Sequence, residues 1–355
     1  NVRDMRALKE YGVFLPIANG GWIVSTSTPS LDGGWQLNRD AALIAEEEGF
    51  DFVMAMGKWR GFGGATDHWG TSLEAVTMLA GIAALTKRVK VWATLHAILH
   101  NPAVAAKMIA TLDHVSGGRA GLNIVAGAFR GEFEQMGAWD EALSHDARYD
   151  LTREWTGIVK RLWTQDRVSF DGKYFHFRDC VSRPKPLHPP FLICAGMSAR
   201  GFDFSVRECD GCFIGGATQA ETRAASHRAK DLARQMGKTI KTYCMMTVIT
   251  APTDAGAQSR AQKYRDGLDE GAVRGMLESY GLSGTGGAGN AMTERAKDAF
   301  MTQAVVGSPA TCAARIESFI RDCDIDGLMF ICDDYARGLR VIGREILPLL
   351  RKTLG

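Results

Sequence analysis

The sequence predicts an α/β fold, a (β/α)8 TIM barrel with insertions after strands 4 and 7. Three observations carry this expectation. Eight short, almost wholly apolar runs recur along the 355 residues, amphipathic stretches of helical period alternate with them, and composition stays uniform with no linker. Strands that are apolar throughout are buried on both faces, which is the habit of parallel sheets covered by helices. Eight such units close into a ring more readily than they extend an open doubly wound sheet. The chain is read as a single domain over 1–355.

In order, the strands fall at residues 11–16, 52–55, 89–95 and 120–125, then at 191–195, 212–214, 243–250 and 327–332. Amphipathic helices are expected at 38–48, 72–84, 102–116 and 152–163. The later ones fall at 198–208, 218–236 and 309–322, and 338–350 closes the chain. The fourth strand is the most telling. Residues 112–123 read as a helix end, the Gly117-Gly118 turn, and a buried strand starting at Ala120 that carries one amide, Asn123, toward its C-terminal end. Burying an amide is costly unless hydrogen bonds meet it. Either neighbouring backbone satisfies Asn123 as a core residue, or a flat heteroaromatic edge does.

Two connections are too long to be simple loops. The first, 126–190, holds a helix and a strand-poor aromatic piece (Phe170, Tyr174, Phe175, Phe177), read as a second small core or a dimer contact. The second, 251–306, contains a Gly-rich run whose Gly284 to Gly289 matches G-x-G-x-x-G. No strand precedes it, so the dinucleotide fingerprint lacks its context. A mobile lid over the barrel mouth and a plain surface loop both fit it.

Composition excludes several classes. A formal net charge of +2 without a basic run leaves no nucleic-acid footprint. No apolar stretch has membrane-spanning length, and the charged N-terminus is unlike a signal peptide. Eight scattered cysteines suit reduced thiols in the cytoplasm. Cys209 and Cys212 have redox spacing, but no second pair supports zinc, and small residues flanking a strand start explain them as well. No metal is expected.

Chemistry in such a barrel belongs at the C-terminal strand ends. There stand Gly57 and Lys58 in a glycine-rich run, Thr94 and His96 on the third strand, and Asn123 on the fourth. Ser198 opens the helix after the fifth strand, as an ordinary cap or as part of an anion site where free N–H groups face a phosphate. Arg148 and Tyr149 would add charge and a hydroxyl there. His96 and His100 are either hydrogen-bonding partners of a ligand or loop histidines. Asp333 and Asp334 end the eighth strand, to hold a substrate N–H or cap the next helix.

Several motifs point to a family. They are Gly12-Val13-Phe14-Leu15-Pro16-Ile17, Gly21-Trp22, Lys58-Trp59-Arg60-Gly61-Phe62-Gly63-Gly64, Ser116-Gly117-Gly118-Arg119, Glu134-Gln135-Met136-Gly137, Arg148-Tyr149-Asp150, Cys194-Ala195-Gly196-Met197-Ser198 and Asp333-Asp334. Over residues 11–350 the chain resembles the bacterial luciferase-like (group C) two-component flavin monooxygenases, and within them the pyrimidine branch that opens the uracil ring. The Ser-Gly-Gly-Arg signature marks the broad superfamily, while the run from Lys58 to Gly64 is narrower.

The resemblance implies reduced FMN (FMNH2) and O2 as cosubstrates, with a separate NAD(P)H:flavin reductase as functional partner and a homo-oligomer, dimer or tetramer. By position it implies flavin contacts at Gly57, Lys58, Asn123, Glu132, Arg148, Tyr149 and Ser198, and an oxygen site at Thr94 and Asn123. A flavin peroxide then cleaves a carbon–heteroatom bond of an N-heteroaromatic substrate. The chain departs from the pyrimidine pattern at Ala126 and Ala128, where that branch carries Thr and Trp, and along residues 95–102. A small-molecule aromatic substrate bulkier than uracil is therefore expected, near His96, Ala128, Phe129 and Asp333, unless Phe129 refills the space. Alternatives are riboflavin lyase-type cleavage of a flavin side chain, a deazaflavin-dependent oxidoreductase of the same superfamily, and a non-catalytic flavin-binding protein.

Overall fold

A computed structural model of the chain describes residues 8–29, 31–127, 129–280, 293 and 295–355. The glycine-rich run at 284–289, expected as lid or loop, and Ala128 both lie outside the described residues.

The strands are β1 (Glu10–Phe14), β2 (Phe52–Met54), β3 (Lys90–His96), β4 (Ala120–Val125), β5 (Val168–Asp171), β6 (His176–Cys180), β7 (Phe191–Cys194), β8 (Gly211–Phe213), β9 (Lys241–Thr250), β10 (Ala304–Gly307) and β11 (Gly327–Cys332). Eight of them form the barrel. β1 pairs in parallel with β2, and the order runs on through β3, β4, β7, β8, β9 and β11 until β11 pairs back to β1. The expected barrel is therefore closed. The upper half of β9 also pairs with β10 at Thr247–Thr250, outside the ring.

Helices cover the barrel because alternate side chains of each strand are apolar on the outer face. Val91, Ala93 and Leu95 of β3 join Ala105, Ala106 and Ile109 of the helix Pro102–Ser116 in one buried cluster. That helix starts where Asn101 Oδ1 accepts the Ala103 N–H at 2.8 Å, with Pro102 at its first position. It ends at Gly117 (φ 68°), in the left-handed region that glycine adopts freely.

Three expectations needed correction. The aromatic piece of the first insertion is not strand-poor: β5 and β6 form an antiparallel hairpin with Phe170 opposite Phe177. Both strands are largely exposed and rich in charge, so no apolar run marks them. Glu154, on the helix His145–Thr164, accepts the N–H groups of Lys173, Tyr174 and Phe175, pinning the hairpin to that helix. That helix also starts seven residues before the expected 152, where Ser144 Oγ accepts the Ala147 N–H. The last helix breaks into Tyr335–Val341, a π-helical turn Ile342–Ile346, and Leu347–Leu354. Pro348 lacks the N–H that would bond to residue 344, so the ladder shifts register there.

The lower barrel is filled by rings seated on glycines of adjacent strands. Phe52 and Trp92 stack at 3.8 Å, Trp92 and Phe191 at 5.1 Å, and Tyr243 meets Trp92 edge-on at 5.5 Å. Opposite them, Gly12 pairs with Phe52, Gly121 with Trp92 and Gly327 with Tyr243. A Cβ at Gly12 would lie 2.2 Å from Phe52, and one at Gly121 2.5 Å from Trp92. Each glycine thus makes room for one ring, and the layer plugs the barrel floor. Gly121→Val should overpack it and lower stability by about 2 kcal/mol in chemical denaturation, whereas Ala at the half-buried helical Gly157, where a Cβ meets open space, is a control that should not lower the midpoint.

Candidate active site at the barrel mouth

Above the aromatic floor the same pleat places polar groups. Alternation along β3 turns Trp92, Thr94 and His96 inward, and the register sets Thr94 opposite Asn123 and His96 opposite Val125. Thr94 Oγ1 donates to the Ala55 carbonyl at 2.8 Å and accepts from Asn123 Nδ2 at 3.1 Å. Asn123 Oδ1 is buried and has no protein partner among the described residues. Backbone satisfies neither end of the amide. The core-residue reading of Asn123 leaves that acceptor unexplained.

The turn below β4 holds this register. Arg119 donates to the carbonyls of Ser116 (2.6 Å), Val89 (2.6 Å), Ala83 (2.9 Å) and Thr86 (2.8 Å) and to Thr86 Oγ1. Buried Asp113 accepts the Ala120 and His188 N–H groups at 3.1 and 2.9 Å. The Ser-Gly-Gly-Arg signature is thus a clamp joining the start of β3, the end of its neighbouring helices and the start of β4.

Lys58, a few residues past the end of β2, sits in a box of rings. Its Nζ is 4.5 Å from the Phe62 centroid, 4.6 Å from Phe129 and 5.4 Å from Trp69. Glu132 is its ion partner at 3.5 Å, and both side chains are 5% exposed. The other Glu132 oxygen accepts the Trp59 N–H at 2.6 Å. Burial pushes the Lys58 amine down to about 8 despite Glu132, and burial raises the Glu132 carboxyl. The ring of Phe129 fills one side of this box, against Phe62 at 5.7 Å. Ala126 is buried beside β4.

His96 stands one pleat above Thr94, 4% exposed, with Phe133 edge-on at 5.1 Å. Gly57 admits it: a Cβ there would lie 2.6 Å from His96 Cε1. His100 Nδ1 accepts the His96 backbone N–H at 3.3 Å. His100 is therefore a local brace.

A third group gathers after β7. Ser198 caps the helix Ala199–Glu208, its Oγ accepting the Gly201 N–H at 3.1 Å. A Cβ on Gly201 would lie 2.6 Å from the Tyr149 hydroxyl and 3.0 Å from Ser198 Oγ, so two hydroxyls converge on bare backbone at a helix N-terminus. Arg148 stacks on Trp139 at 4.6 Å and donates to the carbonyls of Gly127 and Leu143, with no carboxylate partner among the described residues. It lines a cavity of about 230 Å³ with His100, Trp139 and Phe175.

Asp333 is 1% exposed, and protein groups engage both of its oxygens. Arg260 and the Tyr264 hydroxyl (2.5 Å) donate to one, the Asp334 N–H (2.9 Å) to the other. Asp334 caps the following helix at the Arg337 N–H, as one of the two readings expected. All eight cysteines are free, and burial pushes the Cys212 thiol up to about 12. Sequence reasoning missed Trp69, Tyr280 and Asp269. Asp269 accepts from Ala65 N, Thr66 N and Thr66 Oγ1, tying the loop of the ring box to the second insertion. No sequence pattern links residues so far apart.

Removing the Glu132 charge strands an ammonium among rings, so Glu132→Gln should cost about 3 kcal/mol at pH 7. The unfolded chain keeps Lys58 at its ordinary 10.5, whereas the folded chain holds it near 8. Below pH 8 both states carry the proton and the burial cost is fully present. Between pH 8 and 10.5 the unfolded state binds more protons, so stability must rise with pH. Lys58→Met should lack that rise in denaturant titrations from pH 7 to 10. An identical pH slope in both proteins would contradict the assignment.

Comparison with known proteins bears on this geometry. The family profile described as luciferase-like monooxygenase matches residues 9–323. Pyrimidine monooxygenase RutA of Acinetobacter baylyi is 34% identical over 346 residues, covering 96% of this chain and 94% of that protein. RutA of Escherichia coli is 34% identical over 355 residues, covering 98% and 93%. Among solved structures, riboflavin lyase RcaE, captured with modified FMN and riboflavin, matches with a TM-score of 0.87 at 21% identity, covering 98% and 92%; at that identity the likeness concerns the fold alone. With the family profile spanning most of the chain, and a closed parallel barrel carrying its polar groups at the mouth, this chain belongs to the luciferase-like monooxygenases.

Proposed function

We propose that this monooxygenase uses FMNH2 and O2 to cleave a carbon–heteroatom bond of an N-heteroaromatic substrate larger than uracil, with reduced flavin supplied by a separate NAD(P)H:flavin reductase. The observation that carries the reading is the Thr94–Asn123 pair, whose Asn123 Oδ1 is buried without a partner. The residues present fit FMN. The hydroxyls of Tyr149 and Ser198, the bare Gly201 backbone and the Arg148 guanidinium, which has no carboxylate partner among the described residues, suit its phosphate. Asn123, Gly57, Lys58 and Glu132 would meet the ring system. Bound in reduced form, the flavin supplies the electrons that activate O2.

The chain's own residues orient and dry the site. Asn123 offers an acceptor to a ring N–H, and Thr94, fixed by Ala55 and Asn123, holds its hydroxyl oxygen beside the same spot. Such groups act strongly because the floor of Phe52, Trp92 and Tyr243 and the wall of Phe62, Trp69 and Phe129 exclude water. Lys58 holds a proton near neutrality at Nζ, available to balance charge at the mouth. The small Ala126 motivates a substrate larger than uracil, while Phe129, drawn into the ring box, occupies part of the space gained.

The test is oxygen uptake with chemically reduced FMN, followed by mass spectrometry on a panel of pyrimidines, flavins and chloroaromatics. Turnover only with reduced deazaflavin would replace the oxygenase reading with an oxidoreductase. Thr94→Val should lower product formation about a hundred-fold, whereas Thr94→Ser keeps the hydroxyl and should stay within a few-fold of the wild type. Equal rates in both variants would remove Thr94 from the reaction.

A further inference from the structure

We infer that His96 is the substrate-orienting residue of this mouth, holding a planar N-heterocycle, a lactam or azine, by hydrogen bonds from a neutral imidazole. The inference rests on the oxygenase reading above for what happens next, but its own observations are independent. Nδ1 of His96 is fully buried and has no hydrogen-bond partner among the described residues. A bare buried imidazole nitrogen is costly, and native proteins seldom leave one without a reason.

The surroundings are nevertheless built for this ring. Gly57 gives up the side chain that would strike Cε1, Phe133 meets the ring edge-on, and His100 secures the backbone beneath it. A position tailored to a ring but supplying no partner for its buried nitrogen is completed by a ligand. Asn123 Oδ1, the other orphan on the paired strand, is taken by the flavin in the reading above, which leaves His96 for the substrate.

Charge decides which chemistry fits. Burial, with His100 and Lys58 nearby, pushes the imidazole down to about 3. It therefore stays neutral, with one N–H to donate and one lone pair to accept, and does not serve as an acid. That combination matches a ring carrying adjacent N–H and C=O, or a ring nitrogen. The aromatic wall of Phe62, Trp69 and Phe129 favours a flat ligand. A hydrocarbon of the same shape would leave the buried nitrogen bare.

The experiment compares binding of 2-quinolone and naphthalene, a lactam and its near-isosteric hydrocarbon, by titration calorimetry on the purified chain. Wild type should prefer the quinolone by about ten-fold, one hydrogen bond's worth of discrimination. His96→Phe keeps a ring beneath Gly57 and should erase the preference, and His96→Asn, with a polar atom near the Nδ1 position, should restore part of it. An undiminished preference in His96→Phe, or none in the wild type, overturns the inference. Oxygen uptake with reduced FMN reads the underlying assignment separately. Wild type without uptake would sink the oxygenase reading while the binding preference still decides His96. His96→Phe should keep uptake and lose product; loss of uptake in a variant that melts like wild type would give the imidazole to the flavin and overturn the inference as well.

Discussion

A slip of one residue between β3 and β4 would turn Asn123 toward the helices and bring Leu122 or Ile124 to the barrel interior, because strand side chains alternate with a period of two. The slip is forbidden from below. The Arg119 guanidinium spends its donors on carbonyls of the 83–89 segment and of Ser116, while Asp113 holds the Ala120 N–H at the strand's first residue. Neither residue approaches the mouth. Their effect is felt there because a rigid parallel ladder carries the register upward to Thr94 and Asn123 without loss.

The barrel interior is stratified. Rings on glycines fill its floor, a hydroxyl and an amide occupy the middle, and an imidazole and a caged ammonium stand at the rim. The order has a physical logic. A polar layer over open water would be screened and weak, whereas over a sealed aromatic floor each dipole acts in a low dielectric. The same dryness makes every unmatched atom expensive. The molecule tolerates several, at Asn123 and His96 on the strands that lead to the mouth and at Tyr11 and Asn38 elsewhere.

Much of this was legible in the chain. Apolar runs without alternation announced the eight strands, and a lone amide in the fourth drew attention to Asn123. The helix start at Asn101-Pro102 and the end at Gly117 follow from local capping chemistry. The illegible parts depend on distant segments. The hairpin of β5 and β6 is held by Glu154, and its scattered aromatics, Phe170 and Phe177 among them, form no continuous apolar run to announce strands. The cage around Lys58 draws rings from positions 62, 69 and 129, with Tyr280 packed on Phe62, a convergence only the closed barrel creates. Asp333 sits at the strand end where chemistry was expected, but Arg260 and Tyr264 from the second insertion engage it, and nothing near Asp333 in sequence foretells them.

Gly64 (φ 83°), Gly271 and Gly275 let the loop after β2 and the helix Glu270–Tyr280 touch backbone to backbone: a Cβ on Gly64 would meet the Ala272 nitrogen at 2.3 Å, and one on Gly275 the Phe62 carbonyl at 1.9 Å. Two main chains meshed so closely cannot diverge independently. Any graft that exchanges this insertion between relatives must bring its own loop with it, and selection for a new substrate would have to alter both pieces in concert.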